Sequence, residues 1–359
     1  MQRIFLWGTG NIAETTLRQC MTLASYEILG FIDNNPQKTG SLFHGKKIFT
    51  PDILDDVIPD KIVILADAYK VIKEQIVTMY PQYENLIENK NFFYKESILA
   101  RYQNERNKEI VEVLEYIKIN GLDVFNYEFK KKYVDLNIEV YRDKENGMSY
   151  VMHHGKRLFF SKKYNNKEAV IHYYKSILLE QDVNSPHRYI SEDFCINSGD
   201  IVVDIGAAEG NFSLEIIEKV SKLYIIETDE DWIEALKETF KEYLDKVVII
   251  KKFISSYDEG EYARLDTLID EPVNFIKMDI EGNEWDGLWG AENLINRSDN
   301  LKLAICSYHS DFDQILIEQF MDTHGIKHST SKGYLWFPWC IRQKYVSTRL
   351  NRAIIRGIK

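Results

Sequence analysis

Residues 201–213 read IVVDIGAAEGNFS, a short apolar run that ends at Asp204 and passes through a glycine-containing turn. Apolar residues at helical spacing follow at 214–220, so the stretch predicts a strand, a tight loop and a helix. A second predicted strand, at 222–226, ends at Glu227, twenty-three positions after Asp204. These units begin a doubly wound α/β sheet, in which ligands bind beyond the carboxyl ends of the strands.

The acidic residues of this region indicate which nucleoside it holds. Glu227 closes the second strand, where a carboxylate can accept both ribose hydroxyls. Glu209 lies inside the loop, and a carboxylate about 4 Å from a pyrophosphate would be repelled by about 4 kcal/mol at an effective dielectric constant of ~20. A ligand with an ammonium and a sulfonium is attracted instead, which predicts S-adenosylmethionine (SAM); the alternative is a Rossmann-like unit that carries Glu209 by chance. The predicted cofactor contacts are Asp204, Gly206, Ala207, Glu209, Gly210 and Glu227, with Ser255 and Asp279 after later strands.

A second chemical centre follows at residues 274–284, which read NFIKMDIEGNE. A predicted strand runs into Asp279, with Glu281 two positions later, and His309 follows the next predicted strand. The carboxyl end of the fourth strand is where the transferred methyl and the acceptor should meet. We expect Asp279, Glu281 and His309 to be catalytic, with His309 or Asp279 as the base and Glu281 orienting it. The same three residues could hold a divalent ion, without selecting among Mg, Mn and Zn; helix caps and a structural histidine are the simpler alternative.

A polar segment precedes the cofactor strand at residues 180–189, which read EQDVNSPHRY. It concentrates carboxylates, an imidazole, a guanidinium and a phenol, and functional residues often lie on loops held by a rigid scaffold. An ion-pair cluster that covers the sheet is the alternative. We expect this segment to contact the acceptor through Glu180, Gln181, His187 and Arg188.

A similar strand–loop–helix pattern opens the chain. Residues 8–13 read GTGNIA after a short apolar strand, and the next predicted strand ends at Asp33. Because this loop has no acidic residue, its helix N-terminus is free to hold a phosphate while Asp33 holds a ribose. The alternatives are a domain that lost its ligand and serves dimerisation or docking, and an NAD(P) site for hydride chemistry. The predicted second nucleotide site consists of Gly8, Gly10, Asn11 and Asp33.

Length and composition restrict the class of protein further. The chain of 359 residues has a net charge of -11 and a pI near 5.4, which argues against nucleic-acid binding. The four cysteines, Cys20, Cys195, Cys306 and Cys340, form no close pair and are expected to be reduced core thiols. No signal peptide and no apolar run of membrane-spanning length is visible, so we expect a cytoplasmic protein. The basic tail, with Arg342, Lys344, Arg349, Arg352, Arg356 and Lys359, is predicted to be a solvated helix.

Residues from about 150 to the end resemble the FkbM family of SAM-dependent methyltransferases. The resemblance is carried by DIGAAEG at 204–210, TL at 267–268, KMDIEGNE at 277–284 and YH at 308–309. It implies a class I methyltransferase fold and transfer of a methyl group to oxygen, often on sugars, polysaccharides or polyketide-type products. It also implies that Asp204, Gly206 and Glu227 contact SAM.

The amino-terminal part resembles the Rossmann-like domain of bacterial sugar-modifying enzymes. The resemblance rests on GTGN at 8–11 and GFIDN at 30–34. Together these features predict an α/β protein with two Rossmann-like doubly wound domains, at 1–98 and 146–359, joined by a helical connector at 99–145. In the connector, four apolar residues are spaced for one helix face: Ile110, Val113, Leu114 and Ile117.

The predicted function is a SAM-dependent O-methyltransferase that acts on a sugar, surface-glycan or related natural-product hydroxyl. The expected partners are that small-molecule or glycan acceptor, a nucleotide sugar at the first domain and a second copy of the chain, with no nucleic acid. The alternative function is a non-catalytic scaffold in glycan assembly that binds SAM or a nucleotide without turnover.

Overall fold

The computed structural model of the chain describes residues 1–19, 24–338 and 346–359. These residues form two compact units, Met1–Asn126 and Tyr127–Lys359, and each unit has its own central sheet. Cys20 and Cys340 lie outside the described residues, as do Arg342 and Lys344 of the basic tail. Cys306 is buried, Cys195 is half-buried, and both are free thiols. In the part of the chain that the structure describes, no helix is both long enough and apolar enough to cross a bilayer.

The first unit is built on a six-stranded sheet. Strand β1 pairs in parallel with β2 and β5, and the sheet order is β3-β4-β2-β1-β5-β6. Strands β1, β2 and β5 each bury three or four consecutive residues, as expected for parallel strands that are covered on both faces. The strands are β1 Gln2–Trp7, β2 Tyr26–Ile32, β3 Leu42–Phe43, β4 Lys46–Phe49, β5 Lys61–Ile64 and β6 Ile87–Glu88. The helices are α1 Asn11–Gln19, α2 Ile53–Asp56, α3 Tyr69–Met79, α4 Phe92–Arg101 and α5 Lys108–Asn120.

Helix α5 confirms the predicted amphipathic segment. Its four apolar positions, Ile110, Val113, Leu114 and Ile117, are all buried. The helix begins where the Asn107 side chain accepts a hydrogen bond from the Glu109 backbone N–H, and it ends at Gly121 with φ +85°. Local capping and one apolar face are therefore enough to fix this element.

The second unit contains a seven-stranded sheet and two small sheets. Before the main sheet come α6 Lys131–Val134, β7 Tyr141–Arg142, β8 Ser149–His153, β9 Lys156–Phe159 and α7 Lys167–Glu180. The cofactor-side half comprises β10 Ile201–Ile205, α8 Asn211–Ile216, β11 Lys222–Ile226, α9 Glu230–Thr239, β12 Val247–Ile250, β13 Phe253–Ile254, β14 Tyr262–Ala263 and α10 Leu265–Leu268. The remainder comprises β15 Phe275–Met278, α11 Glu284–Trp289, α12 Glu292–Arg297, β16 Lys302–Cys306, α13 Asp313–Thr323, β17 Lys327–Thr330 and β18 Ile354–Ile358.

The order of the main sheet is β12-β11-β10-β15-β16-β18-β17. Strands β10, β11, β12, β15 and β16 are parallel, whereas β18 runs antiparallel to both of its neighbours. From β10 the chain runs outward through β11 to β12, and it then crosses back to form β15 on the other side of β10. The boundary between β10 and β15 is therefore the switch point, where open α/β sheets bind ligands. The predicted α/β fold class is confirmed.

The carboxyl-terminal tail departs from the sequence prediction. The expected solvated helix is wrong for the described part, because residues Ile354–Ile358 form the antiparallel strand β18 between β16 and β17. Ile354 and Ile355 are completely buried there, and β-branched side chains suit a strand. The apolar and aromatic residues at 333–339 also predict a last strand, but β17 ends at Thr330, residues 333–338 form no strand, and Trp339 lies outside the described residues.

Candidate active site

The loop after β10 is held against the loop after β15. Gly206 has φ +72°, and a Cβ atom built on it would lie 1.8 Å from the backbone oxygen of Asp279. The Gly206 N–H donates to the Ile226 carbonyl over 2.9 Å, which ties the same loop to the end of β11. Only glycine fits this close approach. The first glycine of the predicted cofactor motif therefore brings three strand ends together.

Asp204 and Lys277 form a buried ion pair below this loop. The Asp204 side chain accepts a hydrogen bond from Ser213 Oγ over 2.7 Å and lies 3.0 Å from Lys277 Nζ. Lys277 also donates to the Gly206 carbonyl over 2.6 Å. Burial would lower the pKa of Lys277, but the charges of Asp204 and Asp279 raise it above its ordinary value. Asp204 is 0% exposed, so its carboxylate fixes the loop from below. Its contact with a cofactor stays a prediction.

Glu227 reaches the loop as the strand–loop spacing predicted. Its Oε2 accepts a hydrogen bond from the Ala208 N–H over 2.8 Å, and its Oε1 accepts one from the Asp229 N–H over 2.9 Å. The carboxylate is thereby oriented at the carboxyl ends of β10 and β11. The predicted residues Ala207 and Gly210 lie on the same loop, and Gly210 has φ +82°.

Glu209 lies among aromatic rings that the sequence reasoning missed. Its Oε2 accepts a hydrogen bond from the Tyr173 hydroxyl over 2.8 Å, and burial raises the pKa of Glu209. The Tyr173 ring lies 5.4 Å from that of Trp232, which stacks on Tyr164 at 5.5 Å. A carboxylate beside aromatic faces is an environment that attracts a cation. The density of tyrosines at 164–174 was the only sequence signal for this cluster.

Ser255, another predicted cofactor contact, is buried directly after the small strand β13. Its backbone N–H donates to the Ala263 carbonyl over 3.0 Å, and its own carbonyl packs against Gly290. A Cβ atom at Gly290 would lie 1.9 Å from that carbonyl. The position of Ser255 is therefore fixed by backbone contacts.

His309 is surrounded by carboxylates. Its Nδ1 lies 3.1 Å from Glu284 Oε1, and its Nε2 lies 3.4 Å from Asp279 Oδ1 and 3.8 Å from Glu281 Oε2. Burial would lower the pKa of His309, which is 1% exposed, but the neighbouring carboxylates, Glu284 first, raise it to about 9. The imidazole is therefore a cation at neutral pH. The carboxylate of Glu284 lies closer to it than that of Glu281, whose side chain is 71% exposed.

Asp279 is the centre of a second set of contacts. The Tyr189 hydroxyl donates to Asp279 Oδ2 over 2.8 Å, and His187 Nε2 lies 3.8 Å from the same oxygen. Burial would raise the pKa of Asp279, but the charges of His309 and Lys277 and the hydrogen bond from Tyr189 lower it to about 2. Asp279 is therefore ionised throughout the neutral range.

The segment at 180–189 divides between the site and its scaffold. His187 reaches the site, where its Nε2 lies 2.8 Å from the Tyr308 hydroxyl and burial lowers its pKa to about 4. Arg188 instead makes a two-pronged ion pair with Glu215, and Gln181 donates to the His187 carbonyl over 3.1 Å. Arg188 and Gln181 therefore hold the segment in shape in this structure.

Glu180 is half-buried at the end of α7, on the acidic side of the site. Burial, followed by the charges of Glu209 and Asp279, raises its pKa to about 8. Glu180 and His187, two of the four residues predicted to contact the acceptor, thus have pKa values that the surroundings of the site shift.

The geometry allows a test of the predicted metal site. Among the described residues, ligand atoms of Asp279, Glu284 and His309 lie within 4.8 Å of one another, and those of His187, Asp279 and Cys306 form a second such group. Without a metal this cluster is an ion-pair network, in which Glu284 faces Nδ1 of His309 and Asp279 faces Nε2. A divalent cation would bind there by displacing the proton on Nε2, and Glu284 would then orient the ring. The metal site stays a prediction.

In the first unit, the structure brings the predicted nucleotide residues together. Gly8, Gly10, Asn11 and Asp33 all line one cavity at the carboxyl ends of β1, β2 and β5.

Comparisons with known proteins match both units. The model of the FkbM methyltransferase domain matches residues 152–334, and that of the C2185-like N-terminal domain matches residues 1–87. None of the curated proteins with which the chain was compared is significantly similar to it. The resemblance of the first unit to domains of sugar-modifying enzymes stays a prediction.

Solved structures that match the chain include the methyltransferase FkbM from Methylobacillus flagellatus KT, at 15% identity and a TM-score of 0.45. That match covers 99% of this chain and 90% of the other. The precorrin-6y C5,15-methyltransferase from Geobacter metallireducens GS-15 is 13% identical, covers 46% and 81%, and has a TM-score of 0.32. A methyltransferase structure from Streptococcus mutans in complex with SAH is 14% identical, covers 46% and 90%, and has a TM-score of 0.33.

The FkbM model spans the loop after β10, the KMDIEGNE segment and the Tyr308–His309 pair, which are the parts that form the site. Since residues 152–334 make up more than half of the 359 residues, the chain belongs to the FkbM family of SAM-dependent methyltransferases.

Proposed function

We propose that this protein transfers the methyl group of SAM to a hydroxyl group of a sugar, a surface glycan or a related natural product. The observation that carries the proposal is that acidic residues of the cofactor loop and an acidic residue of the neighbouring strand end lie along one edge of the sheet. Glu209 and Glu227 flank the cofactor loop, whereas Asp279 follows the neighbouring strand β15. In such a sheet the cofactor and its reaction partner meet beyond the carboxyl ends of adjacent strands.

The residues around the loop after β10 fit SAM. Glu227 would accept the ribose hydroxyls, while Glu209 and the rings of Tyr173 and Trp232 would face the cationic end of the cofactor. When bound, SAM supplies a methyl group activated by its sulfonium. The role of the protein is to align an acceptor hydroxyl with that methyl and to take up the hydroxyl proton.

Of the two bases predicted from the sequence, Asp279 is favoured. Carboxylates face both nitrogens of His309 and raise its pKa to about 9, which favours the imidazolium over the free base at neutral pH. Asp279 is ionised, and Tyr189 and His309 fix the direction of its oxygens. We propose that the acceptor hydroxyl donates a hydrogen bond to Asp279, that His309 stabilises the ionised carboxylate, and that Glu281 contacts the acceptor at the exposed rim.

A polyhydroxylated acceptor suits the acidic side chains of this edge. Carboxylates accept hydrogen bonds from hydroxyl groups, and Glu281 adds a second one beside Asp279. Glu180, whose pKa is raised to about 8, adds a carboxyl group that can both donate and accept a hydrogen bond. A sugar supplies several such donors, whereas an anionic acceptor would be repelled. The free thiols of Cys195 and Cys306 support a reducing, cytoplasmic location.

The proposal is tested by titrating SAM into the purified protein and then measuring release of S-adenosylhomocysteine with a panel of sugars, oligosaccharides and nucleotide sugars. We expect Glu227→Gln to weaken SAM binding at least about tenfold, since it removes a charged acceptor. We expect Asp279→Asn to bind SAM but to lose at least about a hundredfold in turnover.

Asp299→Asn, at an exposed position in the loop before β16, is the matched control and should behave as the wild type. Full turnover in Asp279→Asn would refute the assignment of the base. SAM binding without turnover across the panel would favour the non-catalytic scaffold. Turnover that is lost with EDTA and restored by one divalent ion would show that a metal binds after all.

A further inference from the structure

The first unit contains a cavity that the methyl-transfer reaction does not use. It has a volume of about 420 Å³ and opens at the carboxyl ends of β1, β2 and β5. Ligand pockets generally measure ~300–1,000 Å³, so this cavity lies at the small end of the range. It has room for one nucleotide, whereas a dinucleotide would extend beyond it.

One wall of the cavity is the first turn of α1. Gly8 has φ +113°, and a Cβ atom there would lie 2.8 Å from the Leu65 carbonyl oxygen, so the turn packs tightly against β5. A Cβ atom at Gly10 would meet nothing within 4 Å, which leaves open space at the start of the helix. Within the described ranges, no group accepts a hydrogen bond from the N–H of Gly10, Asn11 or Ile12. These N–H groups and the helix dipole favour an anion at this point.

The opposite wall carries a fixed carboxylate. Lys38 Nζ donates to Asp33 Oδ2 over 2.8 Å and to Thr9 Oγ1 over 2.9 Å, and the Asn35 N–H donates to Asp33 Oδ1 over 2.9 Å. Burial would raise the pKa of Asp33, but Lys38 and Thr9 lower it below its ordinary value. Asp33 therefore stays ionised at the end of β2, with lone pairs left for hydroxyl donors. Relative to the glycine loop, Asp33 occupies the position at which such folds place the carboxylate that accepts the ribose hydroxyls.

A third feature is a buried donor in the residue that ends β1. Trp7, the last residue of β1, lines the cavity and is 1% exposed. Its indole Nε1 is buried without a hydrogen-bond partner among the residues that the structure describes. Leaving such a donor unpaired is unfavourable by about 1–3 kcal/mol. An oxygen acceptor that reached Nε1 would relieve this cost.

We propose that this cavity binds a nucleoside diphosphate group, with a phosphate at the first turn of α1 and the ribose hydroxyls on Asp33. The group is supplied either by a free nucleoside diphosphate or by a nucleotide sugar whose sugar extends from the cavity mouth. The proposal goes beyond methyl transfer, because it gives the first unit a ligand of its own. It is also independent of the SAM site, so either can fail without the other.

The test uses the full-length protein and calorimetric titration with UDP, ADP, UDP-glucose, GDP-mannose, NAD⁺ and inorganic phosphate. Gly10→Asp and Gly10→Asn form a matched pair, since the two side chains have the same size and the site has room for either. The aspartate adds a charge beside the phosphate, so we expect at least about tenfold weaker binding than in the asparagine variant. SAM affinity, measured on the same samples, should be equal in both and reports that the protein is folded.

Tighter binding of a nucleotide sugar than of its free diphosphate would identify the nucleotide sugar as the source, and equal binding would identify the free nucleotide. Either result supports the proposal. Equal nucleotide affinities for Gly10→Asp and Gly10→Asn would overturn it. So would tightest binding of NAD⁺, or the absence of nucleotide binding in wild-type protein that binds SAM normally.

Discussion

The pairing of Lys277 with Asp204 contributes to stability because each would otherwise be a lone charge in the core. Lys277 is 3% exposed and its Nζ lies 3.0 Å from Asp204 Oδ1. Removing one partner of a buried ion pair typically destabilises a protein by about 3–5 kcal/mol. We therefore predict that Lys277→Met lowers the free energy of unfolding by that amount in urea denaturation, and that Lys277→Met combined with Asp204→Leu recovers part of the loss.

The pair of Lys222 with Glu271 provides the control. Both side chains are about one-third exposed, and an ion pair near the surface contributes only ~0–1 kcal/mol. Lys222→Met should therefore change the free energy of unfolding by less than about 1 kcal/mol. Equal losses for Lys222→Met and Lys277→Met would show that the buried pair is not what stabilises the cofactor loop.

Glu180 should make the stability of the protein without SAM depend on pH. Burial and neighbouring carboxylates raise its pKa to about 8 in the folded state, above its ordinary value of 4.5. A raised folded pKa gives a contribution to stability that is complete below the unfolded pKa and is lost as the pH rises through the folded pKa. We predict that Glu180→Gln has little effect on Tm at pH 5 and raises it relative to wild type at pH 9.

The difference in Tm between Glu180→Gln and wild type should grow between pH 5 and about pH 8 and level off by pH 9 in differential scanning calorimetry. Glu168→Gln, near the start of the same helix and exposed, is the control and should show no such trend. A constant difference across this range would mean that Glu180 ionises near its ordinary pKa.

The residues of the site were predictable to different degrees. Glu227 and Asp279 close parallel strands, and the strand–loop–helix pattern alone indicates where such residues lie. Tyr173 and Tyr189 could not be found this way. Their hydroxyls bond Glu209 and Asp279 across 36 and 90 positions of sequence, and no local pattern reports such a contact.

At the scale of the elements, the loop after β10 depends on the absence of a side chain at Gly206. We predict that Gly206→Ala destabilises the protein and abolishes SAM binding, because the new Cβ atom would overlap the Asp279 carbonyl oxygen. Gly155, in the turn between β8 and β9, is the control: its φ is +79°, but a Cβ atom there would meet nothing within 4 Å.

Gly155→Ala should cost only the backbone strain of an L-residue in the left-handed region, about 1–2 kcal/mol. It should also leave SAM affinity unchanged. Urea denaturation and calorimetric SAM titration measure the two quantities for both variants. If Gly206→Ala and Gly155→Ala lost the same stability and both bound SAM, the contact between the loops after β10 and β15 would not matter.

Elements defined by local signals were easier to predict than elements defined by their neighbours. Helix α5 has a cap and one apolar face, and both are visible in the sequence. Strand β18 has neither, since Leu350, Ile354 and Ile355 also fit a weak helical stripe. Its conformation is decided by pairing with the edges of β16 and β17, whose partner residues lie 25 to 56 positions earlier in the chain. Tertiary pairing therefore overrides local preference here.

At the scale of the whole molecule, the two strand–loop–helix patterns at 8–13 and 204–210 were sufficient to predict two α/β sheets. The sequence could not show what separates them in chemistry, namely the tyrosine-bound Glu209 in one and the cavity beside α1 in the other. Both features arise from side chains that meet only after folding.

The last prediction concerns nucleic acid and follows from the net charge of the protein. A protein of net charge -11 has few free cations to release counterions from a phosphate backbone. The basic run at 130–132 does not supply them, because Lys131 lies 2.5 Å from Glu128 and Lys132 lies 3.0 Å from Asp182. Non-specific DNA-binding proteins reach Kd values of ~10⁻⁴–10⁻⁶ M at physiological salt.

We therefore predict that fluorescence anisotropy with a 20-nucleotide RNA and a 20-base-pair DNA shows binding weaker than about 10⁻⁴ M. Lys131→Glu with Lys132→Glu should change neither result. Binding tighter than this, falling steeply between 50 and 200 mM salt and lost in that double variant, would identify the run as a phosphate-binding surface. Nucleic acid would then become an acceptor to test, and the preference for neutral polyhydroxylated acceptors would have to be abandoned.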